Sequence, residues 1–372
     1  MACADGENAM EDMSAIVLEQ ADRLFAQHID KKVLSAADAG HWPDALWGAV
    51  EDAGLPLALV PEMKGGAGIA PDVAASLIRR SAYHSVPLPL AETIMANALW
   101  TDAGGEVVAG AVTLAPVNPQ DRIALVSGST GVTLQGVARH VPWGKQAPTT
   151  LVLARDANGE AFLCRVPSDK TRTNKTRRNV AYEPREDVDF GGVQLAASDV
   201  LPAPSCLGAD GLMPFGAAIR VQQMIGAMER CMDYALSYAN ERVQFGRPIA
   251  KFQAIQHMLA IAAGHFAAAS AAGDTVTESP ILGDDALAVA IAKSRCGESA
   301  GQVAALCHQV HGAMGFTQEH PLHYATRRLW SWRDEWGAEP WWQEKIGRMI
   351  CEQGGEGFWP LLVDRPAAAG TA

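Results

Sequence analysis

The residues best suited to chemistry lie between Arg242 and Gln253. Arg242, Gln244 and Arg247 sit close together, with Gly246 and Pro248 beside them. Glycine permits positive φ, while proline fixes φ and disfavours helix in the residue before it. The spacing predicts a tight reversal that brings the three side chains together. Cationic donors on a rigid turn make an anion-binding corner. The same spacing also fits a helix–helix turn whose arginines are simply solvated.

Two helical segments must present that turn. One ends in Tyr238-Ala239-Asn240-Glu241-Arg242. The other opens at about Phe252 and carries Ile255, Met258, Leu259 and Ala262 at helical spacing. From about Gly211 onward the chain reads as helical: Gly211 to Arg242, Phe252 to Ala272, Asp284 to His311, and Pro321 to about Cys351. Few charges fall on the first three segments. That predicts burial on more than one face, as in a bundle that also serves an oligomer interface. Gly226, inside the first, predicts a close approach by another helix or a ligand, because an interior glycine costs about 1 kcal/mol relative to alanine. Trp330, Trp332, Trp336, Trp341 and Trp342 crowd the last segment, and such clusters are more often core or interface than cofactor box.

Upstream, residues 10–105 read as a helical domain, with a turn-rich interruption from Leu59 to Ile69 whose glycines lack the order of a phosphate-binding loop. Residues 106–205 read as a β-domain. Strands are predicted at about 123–128, 131–137, 149–154 and 160–166, with Asn158-Gly159 as a hairpin turn between the last two. Many short strands in so small a space suggest an antiparallel barrel or sandwich. Lys170, Arg172, Lys175, Arg177 and Arg178 form a basic run, read as a solvated loop or as a contact for an acidic ligand or partner. The bundle takes 206–355 and a tail 356–372, of which Asp364 to Ala372 reads as disordered.

The chain has 372 residues, 48% hydrophobic and 19% charged, so it is globular, with room for two or three domains. A net charge of −12 argues against nucleic-acid binding. The seven cysteines are scattered without a CxxC pair, which argues against a disulfide framework or a metal site and fits a reducing cytoplasm. The N-terminus lacks the pattern of a signal peptide, and no apolar run is long enough to span a membrane.

Arg242-Val243-Gln244-Phe245-Gly246-Arg247-Pro248-Ile249, followed by Phe252-Gln253 and by Gln309-Val310-His311-Gly312-Ala313-Met314-Gly315-Phe316, resembles the acyl-CoA dehydrogenase family. Leu46 to Gly68, with Val60-Pro61-Glu62 and Gly65-Gly66-Ala67-Gly68, is similar to that family's N-terminal domain, as is the strand series ending in Asp187-Val188-Asp189-Phe190. The resemblance covers roughly residues 15–355. It implies an N-terminal helical domain, a small antiparallel β-barrel and a C-terminal four-helix bundle, mostly α with a central β-domain. It implies a flavoprotein that dehydrogenates an acyl-CoA thioester, in which one subunit's bundle end reaches a neighbour's FAD. On that pattern Arg242, Gln244 and Phe245 meet the pyrophosphate end of the FAD, and Gln309, Gly312 and Ala313 its adenosine end. A tetramer follows.

The sequence departs from the family at two places. The usual Thr-Glu-Pro segment and Gly-Ser loop, which touch the flavin ring, correspond here to Val112 to Asp121 and are missing. Aligning the family's Tyr-Glu-Gly-Thr on Gly337 puts Trp336 where the catalytic glutamate belongs. The family's other base position falls near Gly216. The nearest acids are Glu335 and Asp334. Glu335 is the candidate catalytic base, expected to have a raised pKa among the tryptophans or else to form an ordinary ion pair with Arg333 or Arg327. Both departures fit a heteromeric acyl-CoA dehydrogenase of the kind found in steroid degradation. Such a chain either contributes to catalysis with a homologous subunit or, alternatively, only completes that subunit's FAD site.

Overall fold

The computed structural model describes residues 2–128, 131–279 and 281–363. Five helices come first: α1 (Ala2–His28), α2 (Lys31–Ala39), α3 (Asp44–Asp52), α4 (Pro71–Tyr83) and α5 (Leu90–Asp102). The first begins well before the expected residue 10. Asp30 caps α2 by accepting from the Val33 N–H at 2.8 Å, and Gly40 ends it with φ 102°. The turn after α3 is structural: a Cβ on Gly66 would fall onto the Val60 backbone.

The β-domain holds β1 (Val112–Ala115), β2 (Ala124–Gly128), β3 (Gly131–Gln135), β4 (Val137–Pro142), β5 (Thr149–Arg155), β6 (Ala161–Pro167), β7 (Arg172–Arg178), β8 (Pro184–Asp189), β9 (Val193–Leu195) and β10 (Val200–Pro202). The expected barrel is realised as two curled sheets. One runs β10-β6-β5-β2-β3-β9 with β1 added beside β5; the other is β4-β8-β7. Pairing is antiparallel except where β1 and β2 meet β5. The basic run, expected as a loop, forms β7 at a sheet edge, exposed along its whole length. Charged side chains there blunt an edge that would otherwise invite another strand.

The bundle consists of α6 (Met213–Glu241), α7 (Gln253–Asp274), α8 (Ala286–His311), α9 (Leu322–Asp334) and α10 (Glu339–Val363), with a small hairpin of β11 (Val243–Gln244) and β12 (Arg247–Pro248) after α6. The last helix passes the expected boundary at 355, with a kink at Gly354, where φ is 70°. The expected disordered stretch 364–372 lies outside the described residues. α6 is the central post, buried against α4, α7, α8 and α9. Gly226 is where α4 comes closest: a Cβ there would strike the Arg79 carbonyl. One apolar core runs through the N-terminal helices and the bundle, and a second fills the β-domain. Cys231, Cys296 and Cys307 lie in the first core, where burial pushes their thiols up, the latter two to about 12. No helix among the described residues is long and apolar enough to cross a membrane.

Candidate functional site

Two regions carry the residues that the sequence singles out. The first is the end of the bundle. α6 stops at Glu241, and the chain reverses through Phe245 and Gly246, with φ of 51° and 78°. Two consecutive positive φ values are what a two-residue hairpin turn requires. The Ile249 N–H closes the hairpin on the Arg242 carbonyl at 2.9 Å. Arg247 lies over the Phe252 ring, 4.3 Å from its centre. Tyr238, one turn before Arg242, stacks on His311 with ring centres 4.7 Å apart. That contact sets the Arg242 hairpin beside the end of α8, where Gly312 breaks the helix with φ 58°.

Arg242, Gln244, Phe245, Gln309, Gly312 and Ala313 are thus gathered at one end of the molecule, and all are exposed. Neither Arg242 nor Arg247 has a carboxylate partner among the described residues. Nothing lies within 4 Å of where a Gly312 side chain would be, so a ligand can come close to that backbone. Unpaired guanidinium donors beside an open glycine turn fit a pyrophosphate.

The second region is a cleft of about 590 Å³ between the β-domain and the bundle. Its walls include Asn118, His140 and Val180 on one side and Trp330, Trp336 and Trp341 on the other. Both Asp334 and Glu335 line it. Glu335 is saturated. Arg185 donates to both its oxygens, at 2.8 and 2.9 Å, Arg220 donates at 2.8 Å and Asn179 at 3.0 Å. Burial would raise its pKa, but the two guanidiniums and these hydrogen bonds outweigh burial and hold it at about 2. This corrects the expectation of a raised pKa: the carboxylate is ionised, fully hydrogen-bonded and a poor proton acceptor. Its partners are Arg185 and Arg220, whereas the ion pair expected from sequence would have used Arg333 or Arg327. It is Asp334 whose pKa is raised, by burial, against the opposing pull of Arg333.

Glu335 belongs to a buried row of alternating charges. Arg220 continues to Glu92 on α5 at 2.6 Å, and Arg185 continues to Glu183 at 3.0 Å. Glu183 in turn meets Arg328 on α9 at 3.1 Å and accepts from the Trp332 indole at 3.2 Å. Burial opposes the charge of Arg220, but Glu92 and Glu335 more than offset it and raise its pKa. The row Glu92–Arg220–Glu335–Arg185–Glu183–Arg328 crosses all three domains. Sequence reading missed it, because its members are far apart along the chain. One signal was present: Arg220 is the only charge in the apolar first half of α6, and it proves fully buried.

The segment from Val112 to Asp121, which reaches the cleft at Asn118, commits its polar side chains to the protein. Thr113 donates to the Pro142 carbonyl at 2.6 Å, the Asn118 side chain accepts from the Gln120 N–H at 2.9 Å, and Asp121 pairs with Arg139. These residues do not fit a flavin ring. Nor does the structure offer an acid at either position where the resemblance puts a base, since Trp336 and Gly216 pack against each other.

Residues 211–333 match the family described as acyl-CoA dehydrogenase, C-terminal domain. The acyl-CoA dehydrogenase IpdE2 of Mycolicibacterium smegmatis is 26% identical over 326 residues, spanning 86% of this chain and 93% of that one. Residues 211–333 thus carry the acyl-CoA dehydrogenase C-terminal domain, and the full chain is similar to acyl-CoA dehydrogenases along most of its length. The acyl-CoA dehydrogenase FadE34 of Mycobacterium tuberculosis is 29% identical over 289 residues, which are 72% of this chain but only 37% of that protein. Among solved structures, the ChsE4-ChsE5 complex from Mycobacterium tuberculosis superposes with a TM-score of 0.81 at 19% identity, covering 92% of this chain and 98% of that one. A variant of the Tcur3481-Tcur3483 steroid ACAD does so with a TM-score of 0.81 at 22% identity, covering 92% and 99%. Acyl-CoA dehydrogenases therefore share this order of helices, curled sheet and bundle.

Proposed function

We propose that this chain is one subunit of a heteromeric, FAD-dependent acyl-CoA dehydrogenase, and that it completes the FAD site of a homologous chain that supplies the catalytic base. The observation that carries this reading is the contrast between the two regions. The residues given to a neighbour are exposed and unpaired, while the acid beside the chain's own cleft is locked. Bound FAD supplies the hydride acceptor for α,β-dehydrogenation of the acyl-CoA. This chain's part is to hold it: Arg242 and Gln244 donate to pyrophosphate oxygens, Phe245 covers that end, and Gln309, Gly312 and Ala313 border the adenosine. α7 supports an assembly, since it is apolar in sequence yet only Ala262, Ala269 and Gly273 are buried in the single chain. The names of the matched structures, one a complex and one a steroid ACAD named for two chains, support an assembly of two different chains acting on an acyl-CoA from steroid breakdown.

Expression alone and together with a homologous subunit tests this. The pair is expected to hold FAD and dehydrogenate, with FAD content falling in Arg242→Ala. Stoichiometric FAD and dehydrogenase activity in this chain alone would overturn it.

A further inference from the structure

The short loop between α9 and α10 holds a residue that is costly to keep. Trp336 has φ 58°, a left-handed conformation that a bulky side chain rarely adopts. Its side chain is buried, and its indole N–H has no hydrogen-bond partner among the described residues. Both features are unfavourable, and each persists only where the surroundings over-determine it. The surroundings do so here. Lys293, fully buried on α8, donates to the carbonyls of Arg333 and Gly337 at 2.7 and 2.8 Å, on either side of Trp336. The Trp342 indole donates to the Trp336 carbonyl at 3.0 Å. Glu335, next in line, is fixed by Arg185, Arg220 and Asn179.

The ring held in this way lies on Gly216, near the start of α6, so closely that a Cβ at that position would fall inside the indole. Glycine is therefore the residue that lets the ring reach the helix. The side chain is both a wall of the cleft and the filling between that cleft and α6.

We propose that Trp336 is a plug that sets the depth of the cleft and bars the acyl part of a CoA thioester from the space against Gly216. This rests on the reading of the chain as a partner subunit, and explains how its own cleft is kept from competing for the substrate. Lys293 and the charges around Glu335 are positioning groups that act through this loop.

The test uses Trp336→Gly in the full chain, assembled with its homologous subunit. Glycine suits the positive φ, so the substitution removes the ring and relieves the backbone together. Binding of octanoyl-CoA is measured by titration calorimetry. The wild-type complex is expected to bind one ligand per homologous subunit. The variant is expected to bind one more per copy of this chain, and free indole should compete for the added site alone by refilling the space. Trp336→Phe should keep the wild-type stoichiometry. Unchanged stoichiometry in a folded Trp336→Gly complex overturns the plug. Should that variant fail to assemble, Trp336→Asn, which also tolerates the left-handed region, is measured in the same way, and the same two outcomes decide. FAD content that still depends on Arg242 in a complex whose stoichiometry does not change would leave the subunit reading standing while the plug falls.

Discussion

The bundle end and the cleft floor both rest on arginines, and their arginines do opposite things. Arg242 and Arg247 sit on a hairpin in water, with donors free for a ligand. Arg185 and Arg220 lie buried, with their donors committed to Glu335, Glu183 and Glu92. An exposed guanidinium costs the fold little and gains by meeting an anion. A buried one is tolerated only because carboxylates surround it. The residue type therefore does not mark the site; the state of its partners does. Here that state separates an exposed surface with uncommitted donors from a floor that holds this molecule together.

The comparison breaks most easily at Arg220. Arg220→Met leaves Glu92 and Glu335 short of a partner in the core, with an expected loss of about 3–5 kcal/mol in denaturant unfolding. A loss below about 1 kcal/mol would mean that the row of charges is not the floor described. Acid titration should give the next largest effect. Glu335 has its pKa lowered from 4.5 to about 2. Its contribution is thus complete above the ordinary carboxylate value and is lost as pH falls toward 2. The lost stability is on the order of 3 kcal/mol, and Glu335→Gln should flatten that limb. Lys293 has the opposite sense: burial lowers its pKa from 10.5 to about 8, so its buried charge opposes folding at neutral pH and stability rises as pH climbs between those values.

At the other region, Arg242→Ala should leave unfolding unchanged within about 0.5 kcal/mol while weakening FAD retention by the assembled complex about tenfold to a hundredfold, the range of a charged hydrogen bond. Flavin absorbance after gel filtration reads this out. Turnover of the complex should change less than about twofold in Glu335→Gln, because a saturated carboxylate has no free lone pair directed at a substrate proton. The smallest effect is expected on the exposed β7 edge, where Lys175→Ala should shift stability by less than about 0.5 kcal/mol.

Much of the fold could be read from the chain because its signals are local. The helices announce themselves by apolar spacing, Asn158-Gly159 marks its hairpin, and Gly226 marks a close helix contact. The same holds for the bundle end. Gly246, Pro248 and Gly312 specify their turns whatever surrounds them, and the Tyr238–His311 stack only adds that the two turns are neighbours. The cleft was illegible for the converse reason. Glu335 reads as a candidate base until Arg185 from the β-domain and Arg220 from a distant helix of the bundle are placed upon it. β7 was read as a loop because its residues all face solvent, so no alternation of apolar and polar residues betrays a strand. Trp336 and Gly216 could each be named as substitutions, but their contact exists only in three dimensions.

That contact bears on how the chain could change. An acid restored at Gly216 would drive a side chain into the indole. A glutamate restored at 336 would vacate the ring and set a second carboxylate next to Glu335, beside arginines already committed elsewhere. Neither route to a base is a single step, because each passes through a protein with a clash or an unpaired charge. The loop works as a ratchet: with the indole and its supporting charges in place, the absence of an acid at either position is hard to undo.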